Sequence, residues 1–386
     1  MIEFSQEEIM RYPRHFSVGS IGLEGQKKIK ASRVLLIGSG GIGSPAALYL
    51  AASGIGRLGL IDYDVVEPSN LQRQILFRTQ DVGKRKVDVA RDQLSELNPF
   101  TQIDTYPYPL SPQNASELFA EYDYILDGSD NYPTRYLVNE AARKAQKILI
   151  SASVFQFGGQ VLCLDPYKGP CYQCLYPSPP PEELIPNCTQ AGVLGVIPGI
   201  LALLAVNQIF IHILGLHSPS FFGRIHEFNG LNLSTRSFDI PSNPECKCCF
   251  KLNPANSPQL SDPYKKFQPF SCSEPQTHST ESLVEISAEQ LDALISSQSP
   301  LQLIDVRESW EREVEKISPS VHIPLGDLAA QKKFSLNPDA LTVAYCHAGI
   351  RSAKAAKLLQ KSGFTHVSSL TGGIEAWKAY KAKTST

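Results

Sequence analysis

Apolar residues along this chain fall into two kinds of run. Short continuous runs at 34–37, 58–61, 124–127 and 148–152 read as strands buried on both faces. Stretches with apolar residues three or four apart read as amphipathic helices. The clearest carries Val87, Ala90, Leu94 and Leu97 on one face, begins at Lys86 and stops at Asn98-Pro99. Further helices are expected from about Ser44, at 111–119 and at 134–145, with strands at 102–106 and 159–164. Strand and helix alternating at this spacing predict a mostly parallel, doubly wound α/β sheet. Two more strands are expected at 223–228 and 233–238.

Beyond Leu164 the chain turns rich in Pro and Cys, then enters an apolar stretch at 191–216 that lacks Lys, Arg, Asp and Glu. That stretch is long enough to span a bilayer. Its early glycines and proline, its Asn207, Gln208 and His212, and the lack of flanking basic clusters favour a buried helix, at a core or a subunit interface. Residues 251–281, rich in Pro, Ser, Asn and Gln, read as a linker between a first domain at 1–250 and a second at 282–382. The second repeats the alternation on a smaller scale: helix 288–295, strand 301–306, strand 342–345, helix 353–361, strand 367–370 and a closing helix around Trp377.

A chain of 386 residues is long for one core, in keeping with two domains. Its net charge of −2 argues against a general affinity for nucleic acid. The first residues are polar and charged, so no signal peptide is expected and a cytoplasmic setting follows. There the nine cysteines are expected as metal ligands or reactive thiols, not disulfides.

Three features carry chemistry. Gly38, Gly40 and Gly43 have the G-x-G-x-x-G spacing after a strand, and Asp62 ends the next strand. That places backbone N–H groups and a helix N-terminus against a phosphate, but leaves NAD and ATP both open. Cys171-x-x-Cys174 and Cys246-x-x-Cys249 suit one structural zinc ion, tetrahedral and fully thiolate-ligated, with Cys248 a less well spaced substitute. Cys346 follows a strand directly and precedes a helix, with Arg351 at the far end of the loop. Inward N–H groups, a helix N-terminus and that arginine all favour a thiolate. Sulfur transfer and phosphate-ester hydrolysis both use such a cradle. With four residues between Cys346 and Arg351, one fewer than the phosphatase loop, the ring suits a sulfane sulfur better.

The loop from Cys346 to Arg351, with Asp305-Val306-Arg307 upstream and Gly372-Gly373 downstream, resembles a rhodanese domain, which implies that Cys346 carries a persulfide. The first domain resembles the adenylating MoeB/ThiF family, relatives of ubiquitin-activating enzymes. It does so through Gly38 to Gly43, Asp62-Tyr63-Asp64, Ser69-Asn70-Leu71-Gln72-Arg73-Gln74, Lys86, Asp130-Asn131 and both cysteine pairs. The two-domain order is similar to the fused adenylyltransferase–sulfurtransferases. The resemblance implies ATP along Gly38–Gly43 including Gly41, Asp62 on the ribose, and Arg73 and Lys86 on the polyphosphate. Asn70 would orient the phosphates within the 69–73 segment, and Asp130, beside Asn131, would hold Mg²⁺. It implies a homodimer in which Arg14 reaches the partner subunit's site, and a Cys188 that attacks the adenylate or forms a disulfide or acyl disulfide. The implied acceptor is a small ubiquitin-like sulfur carrier ending in Gly-Gly, of molybdenum-cofactor, thiamin, cysteine or tRNA-thiolation type. A cysteine desulfurase or thiosulfate would donate the sulfur. Two alternatives stand beside this reading: an activator that passes its carrier on as a thioester, and a Rossmann oxidoreductase with a redox-sensing rhodanese appendage. Cys163 is expected in a strand core and Cys272 in the linker.

Overall fold

Strand β1 (Arg33–Ile37) is apolar on both sides because the sheet is covered on both sides. The computed structural model describes residues 3–167, 169–178, 192–218, 222–246, 248–249, 284–297, 300–330, 334 and 336–384. Val34 and Leu36 point into one core layer, and Leu35 and Ile37 into the other. Each such fully buried side chain contributes about 1.5–3 kcal/mol. The remaining strands of this sheet are β2 (Arg57–Ile61), β3 (Gln102–Tyr106), β4 (Tyr124–Asp127), β5 (Ile148–Phe155), β6 (Gly158–Leu164), β7 (Arg224–Asn229) and β8 (Ser234–Asp239). Their order is β3-β2-β1-β4-β5-β6-β7-β8. The first five are parallel, and the last three extend the sheet antiparallel.

Helices α1 (Gln6–Arg11), α2 (Pro13–Phe16) and α3 (Gly22–Ala31) precede β1. Pro13 suits the first position of α2, where a helix has no use for its missing N–H. Helices α4 (Gly43–Ala52) and α5 (Lys86–Leu97) cover one face of the sheet. Helices α6 (Pro112–Ala120) and α7 (Tyr132–Lys144) cover the other, followed by a single turn, α8 (Tyr172–Leu175). The apolar stretch forms α9 (Val196–Ile213), long and apolar enough to cross a membrane. Here Leu201, Ala202, Ala205, Val206 and Ile209 are buried in the core beside α4, so α9 is a core helix on that face.

The chain divides into two units, Met1–Phe270 and Ser271–Thr386. Among the described residues the second has five strands, β9 (Val284–Ile286), β10 (Leu301–Asp305), β11 (Val321–His322), β12 (Leu341–Tyr345) and β13 (Val367–Leu370), all parallel in the order β11-β10-β12-β13-β9. Its helices are α10 (Ala288–Ser296), α11 (Ser309–Val314), α12 (Leu325–Ala329), α13 (Ile350–Lys361) and α14 (Gly373–Thr384).

One close approach fixes how α4 meets β1. A Cβ on Gly43 would lie 2.0 Å from the Gly38 carbonyl oxygen, so no side chain fits without moving the helix. Gly43→Val is expected to destabilise the first unit by about 2 kcal/mol or more. A urea-unfolding midpoint unchanged from the parent would show that α4 can shift away.

Candidate active sites and metal centre

At the sheet's centre β1 lies between β2 and β4, so the chain leaves β1 toward one side and returns on the other. The resulting crevice at the strands' carboxyl ends is where doubly wound sheets bind ligands. Gly38 turns the chain there with φ of +86°, beside Gly128 after β4. The Ser39 N–H donates to Asp62 Oδ2 at 2.7 Å, and the Asp64 N–H to Asp62 Oδ1 at 2.9 Å. Burial pushes the Asp62 carboxyl up, while Lys86 and these N–H groups oppose the shift. Among the described residues the N–H groups of Gly40, Gly41 and Ile42 find no acceptor. The Ser39 hydroxyl and Gln74 Oε1 are buried and likewise lack partners. Backbone donors gathered at a helix start, with buried polar atoms beside them, fit a nucleotide polyphosphate.

The basic residues nearby are held in specific ways. The Arg73 stem lies against Gly41, since a Cβ there would be 3.3 Å from Arg73 Cδ and from Pro198 Cβ at the start of α9. Arg73 Nη1 donates to the Ser69 carbonyl at 3.1 Å. Lys86 is buried and its Nζ pairs with Asp64 at 2.9 Å. Asn70 caps its own turn, its Oδ1 accepting the Glu67 N–H at 3.2 Å. Leu71 packs on the core, and the Gln72 carbonyl abuts Gly195. Asp130 follows β4, while Asn131 caps α7 by accepting the Thr134 N–H at 2.9 Å. Arg14 is exposed on α2. Its neighbour Tyr12 accepts a hydrogen bond from Asn98 at 2.8 Å and lies against Gly54, at the amino ends of β3 and β2. Arg14 is therefore not brought to the glycine turn of its own chain, which follows the carboxyl end of β1.

The sulfurs of Cys171, Cys174, Cys246 and Cys249 all lie within 4.8 Å of one another. Cys171 and Cys246 are 3.7 Å apart, and Cys174 and Cys249 are 3.5 Å apart. Zn–S bonds of about 2.3 Å set tetrahedral S···S edges near 3.8 Å, so the four-sulfur set fits zinc. Asn139 aims Nδ2 at Cys171 (3.7 Å) and Cys248 (3.3 Å), and its Oδ1 accepts the Tyr172 N–H at 3.0 Å. Cys163 is buried in β6, where burial pushes its thiol up to about 12. Cys188 and Cys272 lie outside the described residues.

In the second unit Cys346 follows β12 and is buried. Its Sγ accepts the Gly349 N–H at 3.1 Å and lies 3.5 Å from the Ser352 hydroxyl. Gly349, with φ of +96°, starts α13, and a Cβ on Gly373 would lie 2.4 Å from the Cys346 and His347 carbonyl oxygens. Beneath the loop Asp305 takes Arg307 Nε at 3.0 Å, Arg307 Nη2 at 2.8 Å and the Tyr345 hydroxyl at 2.8 Å. Burial works against the Asp305 carboxylate, yet Arg307 and Tyr345 hold it below the usual range. Arg351 makes a two-point bond to Glu311, with both N···O distances 2.6 Å. The sequence pattern had aimed that arginine at the sulfur.

A family model described as the ThiF family matches residues 12–248. The chain belongs to the ThiF family. A rhodanese-like domain model matches residues 287–380 of this ThiF-family chain. It is 36% identical to the probable adenylyltransferase/sulfurtransferase MoeZ of Mycobacterium tuberculosis, over 97% of this chain and 93% of that protein. Adenylyltransferase and sulfurtransferase MOCS3 of Sus scrofa is likewise 36% identical, over 97% of this chain and 86% of its own. A sulfur carrier protein adenylyltransferase from Thermus thermophilus is 40% identical over 64% of this chain and 93% of its own. Among solved structures, E. coli MccB with ATP aligns with a TM-score of 0.52 and 26% identity, over 62% of this chain and 74% of that one.

Glu311 and Asn139 escaped the sequence reading. An asparagine among Leu137, Val138, Ala141 and Ala142 on a buried helix face was a readable signal of a structural role. Glu311 gave only a local one, as the third residue of a helix cap with Glu308.

Purified protein is expected to carry one zinc per chain by elemental analysis, and Cys174→Ser to lose it. Asp305 and Glu311 both have folded pKa values below their unfolded ones. Their contribution to stability is therefore complete above the unfolded carboxylate range near pH ~4 and is lost as pH falls through the folded values. Asp305→Asn leaves Arg307 buried without its counter-charge. It is expected to destabilise the second unit by about 3 kcal/mol and to flatten its acid dependence in urea titrations.

Proposed function

We propose that this ThiF-family chain adenylates the C-terminal Gly-Gly carboxylate of a small ubiquitin-like sulfur carrier with ATP, and then supplies sulfur from a Cys346 persulfide to make the thiocarboxylate. The observation that carries the reading is the pairing of a phosphate-ready glycine turn with a rhodanese-type cysteine cradle on one chain. A nicotinamide enzyme would need neither Arg73 over Gly41 nor a sulfur-bearing loop.

In the first step the carrier carboxylate attacks the α-phosphorus, the bond to the β-phosphate breaks, and pyrophosphate leaves an acyl-adenylate. The N–H groups of Gly40, Gly41 and Ile42 receive phosphate oxygens, and Arg73 and Lys86 offset the charge that moves onto pyrophosphate. Lys86 would exchange Asp64 for phosphate. Asp62 both braces the turn and faces the ribose, and residues 69–72 wall the pocket. Asp130, with Asn131 fixing its loop, would hold Mg²⁺, which supplies further charge neutralisation. Since Arg14 sits away from its own turn, a homodimer would deliver it to the partner subunit's site. The four-cysteine centre would hold zinc as a structural staple between the loop after β6 and the segment after β8.

In the second step the terminal persulfide sulfur attacks the adenylate carbonyl and AMP departs, leaving an acyl disulfide. The Cys188 thiolate, the candidate for this step, attacks the Cys346 sulfur of that S–S bond, so a Cys188–Cys346 disulfide forms as the thiocarboxylate leaves. The domain limits proposed are 1–250 and 282–382 with 251–281 as linker, and free thiols such as Cys163 suit a cytoplasmic protein.

ATP–pyrophosphate exchange should require a carrier with an intact C-terminal Gly-Gly. NAD-dependent turnover in place of exchange would sink the adenylation step. Cys346→Ala should abolish sulfur transfer, read as loss of the sulfur-for-oxygen mass gain on the carrier, while exchange persists.

A further inference from the structure

The arginine that closes the Cys346 loop is held on a carboxylate. Both terminal nitrogens of Arg351 are bonded to Glu311, Nη1 to Oε2 and Nη2 to Oε1, each at 2.6 Å. The pair is shielded, with side-chain exposures of 20% for Arg351 and 10% for Glu311. Glu311 is itself anchored, because its Oε2 also accepts the Glu308 N–H at 3.0 Å in the cap of α11. It cannot follow the guanidinium toward a ligand without breaking that cap. Burial works against the Glu311 carboxylate, but its bond to Arg351 lowers it from the ordinary range. The Cys346 sulfur is held by the Gly349 N–H at the start of α13, with the buried Ser352 hydroxyl nearby, while Arg351 lies close enough to interact with its charge but stays fixed on Glu311. Neighbouring charges are also offset, His347 lying 3.8 Å from Glu375, which pairs with Lys378 at 3.1 Å.

We propose that Glu311 is a specificity-determining residue for sulfur donation: by holding Arg351 at two points it makes the loop discriminate against doubly charged donors such as thiosulfate and in favour of sulfane sulfur carried on a thiol as a persulfide. The covalent step is the same for both. The Cys346 thiolate attacks the sulfane sulfur, the donor's S–S bond breaks, and sulfite or the donor thiolate leaves as Cys346 becomes a persulfide. Only the charge to be accommodated differs. A dianion needs a free cation to replace its water, whereas backbone N–H groups suffice for a persulfide. The inference rests on Cys346 being the transferring residue.

The test compares thiosulfate with glutathione persulfide as donors to the full-length protein, measuring kcat/KM for each. Glu311→Gln should raise the thiosulfate-to-persulfide ratio by about tenfold or more, chiefly through a lower thiosulfate KM. It should also make persulfide transfer newly sensitive to inhibition by sulfate. Adding Arg351→Gln to that variant should erase both gains, which a general loosening of the loop would not do. Glu311→Asp, too short for the two-point bond, should move the ratio the same way and serves if the glutamine variant does not fold. A ratio unchanged in both variants, or a gain that survives removal of Arg351, overturns the proposal. Either result, with Cys346→Ala inactive, leaves the sulfur-transfer reading standing; transfer that persists in Cys346→Ala overturns that reading itself.

Discussion

The hydrogen bond from the Ser39 N–H to Asp62 is what makes the end of the first sheet a site. It ties the turn after β1 to the end of β2. With Ser39 fixed, the next N–H groups are left without acceptors among the described residues, and Gly43 brings α4 against the Gly38 carbonyl. The second Asp62 oxygen fixes Asp64, and Asp64 in turn holds Lys86. One carboxylate thus positions the turn directly and the lysine through a neighbour. Its burial raises the cost of charge there, which the N–H donors and Lys86 offset.

The second unit solves the same problem with different groups. A nucleophile at the carboxyl end of β12 needs its loop held rigid from below, and Asp305, Arg307 and Tyr345 supply a buried polar brace spanning β10 and β12. Such a network is stable only when every member is satisfied. Gly349 and Gly373 let the backbone pass close enough for the Gly349 N–H to reach the sulfur. In both units parallel strands bring distant residues to one edge, and glycine removes the side chains that would fill it.

The difference between the two sites is in how their arginines are used. Arg73 rests on Gly41 with a single bond to the Ser69 carbonyl and can turn to a ligand. Arg351 is bound at two points to a carboxylate that is itself capped. An adenylation step moves negative charge and calls for a movable cation, whereas the cation beside Cys346 is fixed in place by Glu311.

Much of this was legible in the residues alone. Continuous apolar runs marked β1, β2 and β4 because a strand covered on both faces has no polar side, and the spacing of Val87, Ala90 and Leu94 marked α5. Glycine spacing, paired cysteines and the strand–Cys–helix order pointed to the proposed nucleotide turn, the four-sulfur cluster and the proposed nucleophile, since each depends on neighbours only a few residues apart. Tertiary structure alone decided the pairings across long separations. Asp62 serves the turn as well as any ribose, and Arg14 sits at the far end of the sheet. Four sulfurs from two segments converge, and Glu311 takes the arginine that the loop pattern assigned to Cys346. Backbone geometry is set by local sequence, but which charges neutralise one another is set by which strand ends the sheet brings together.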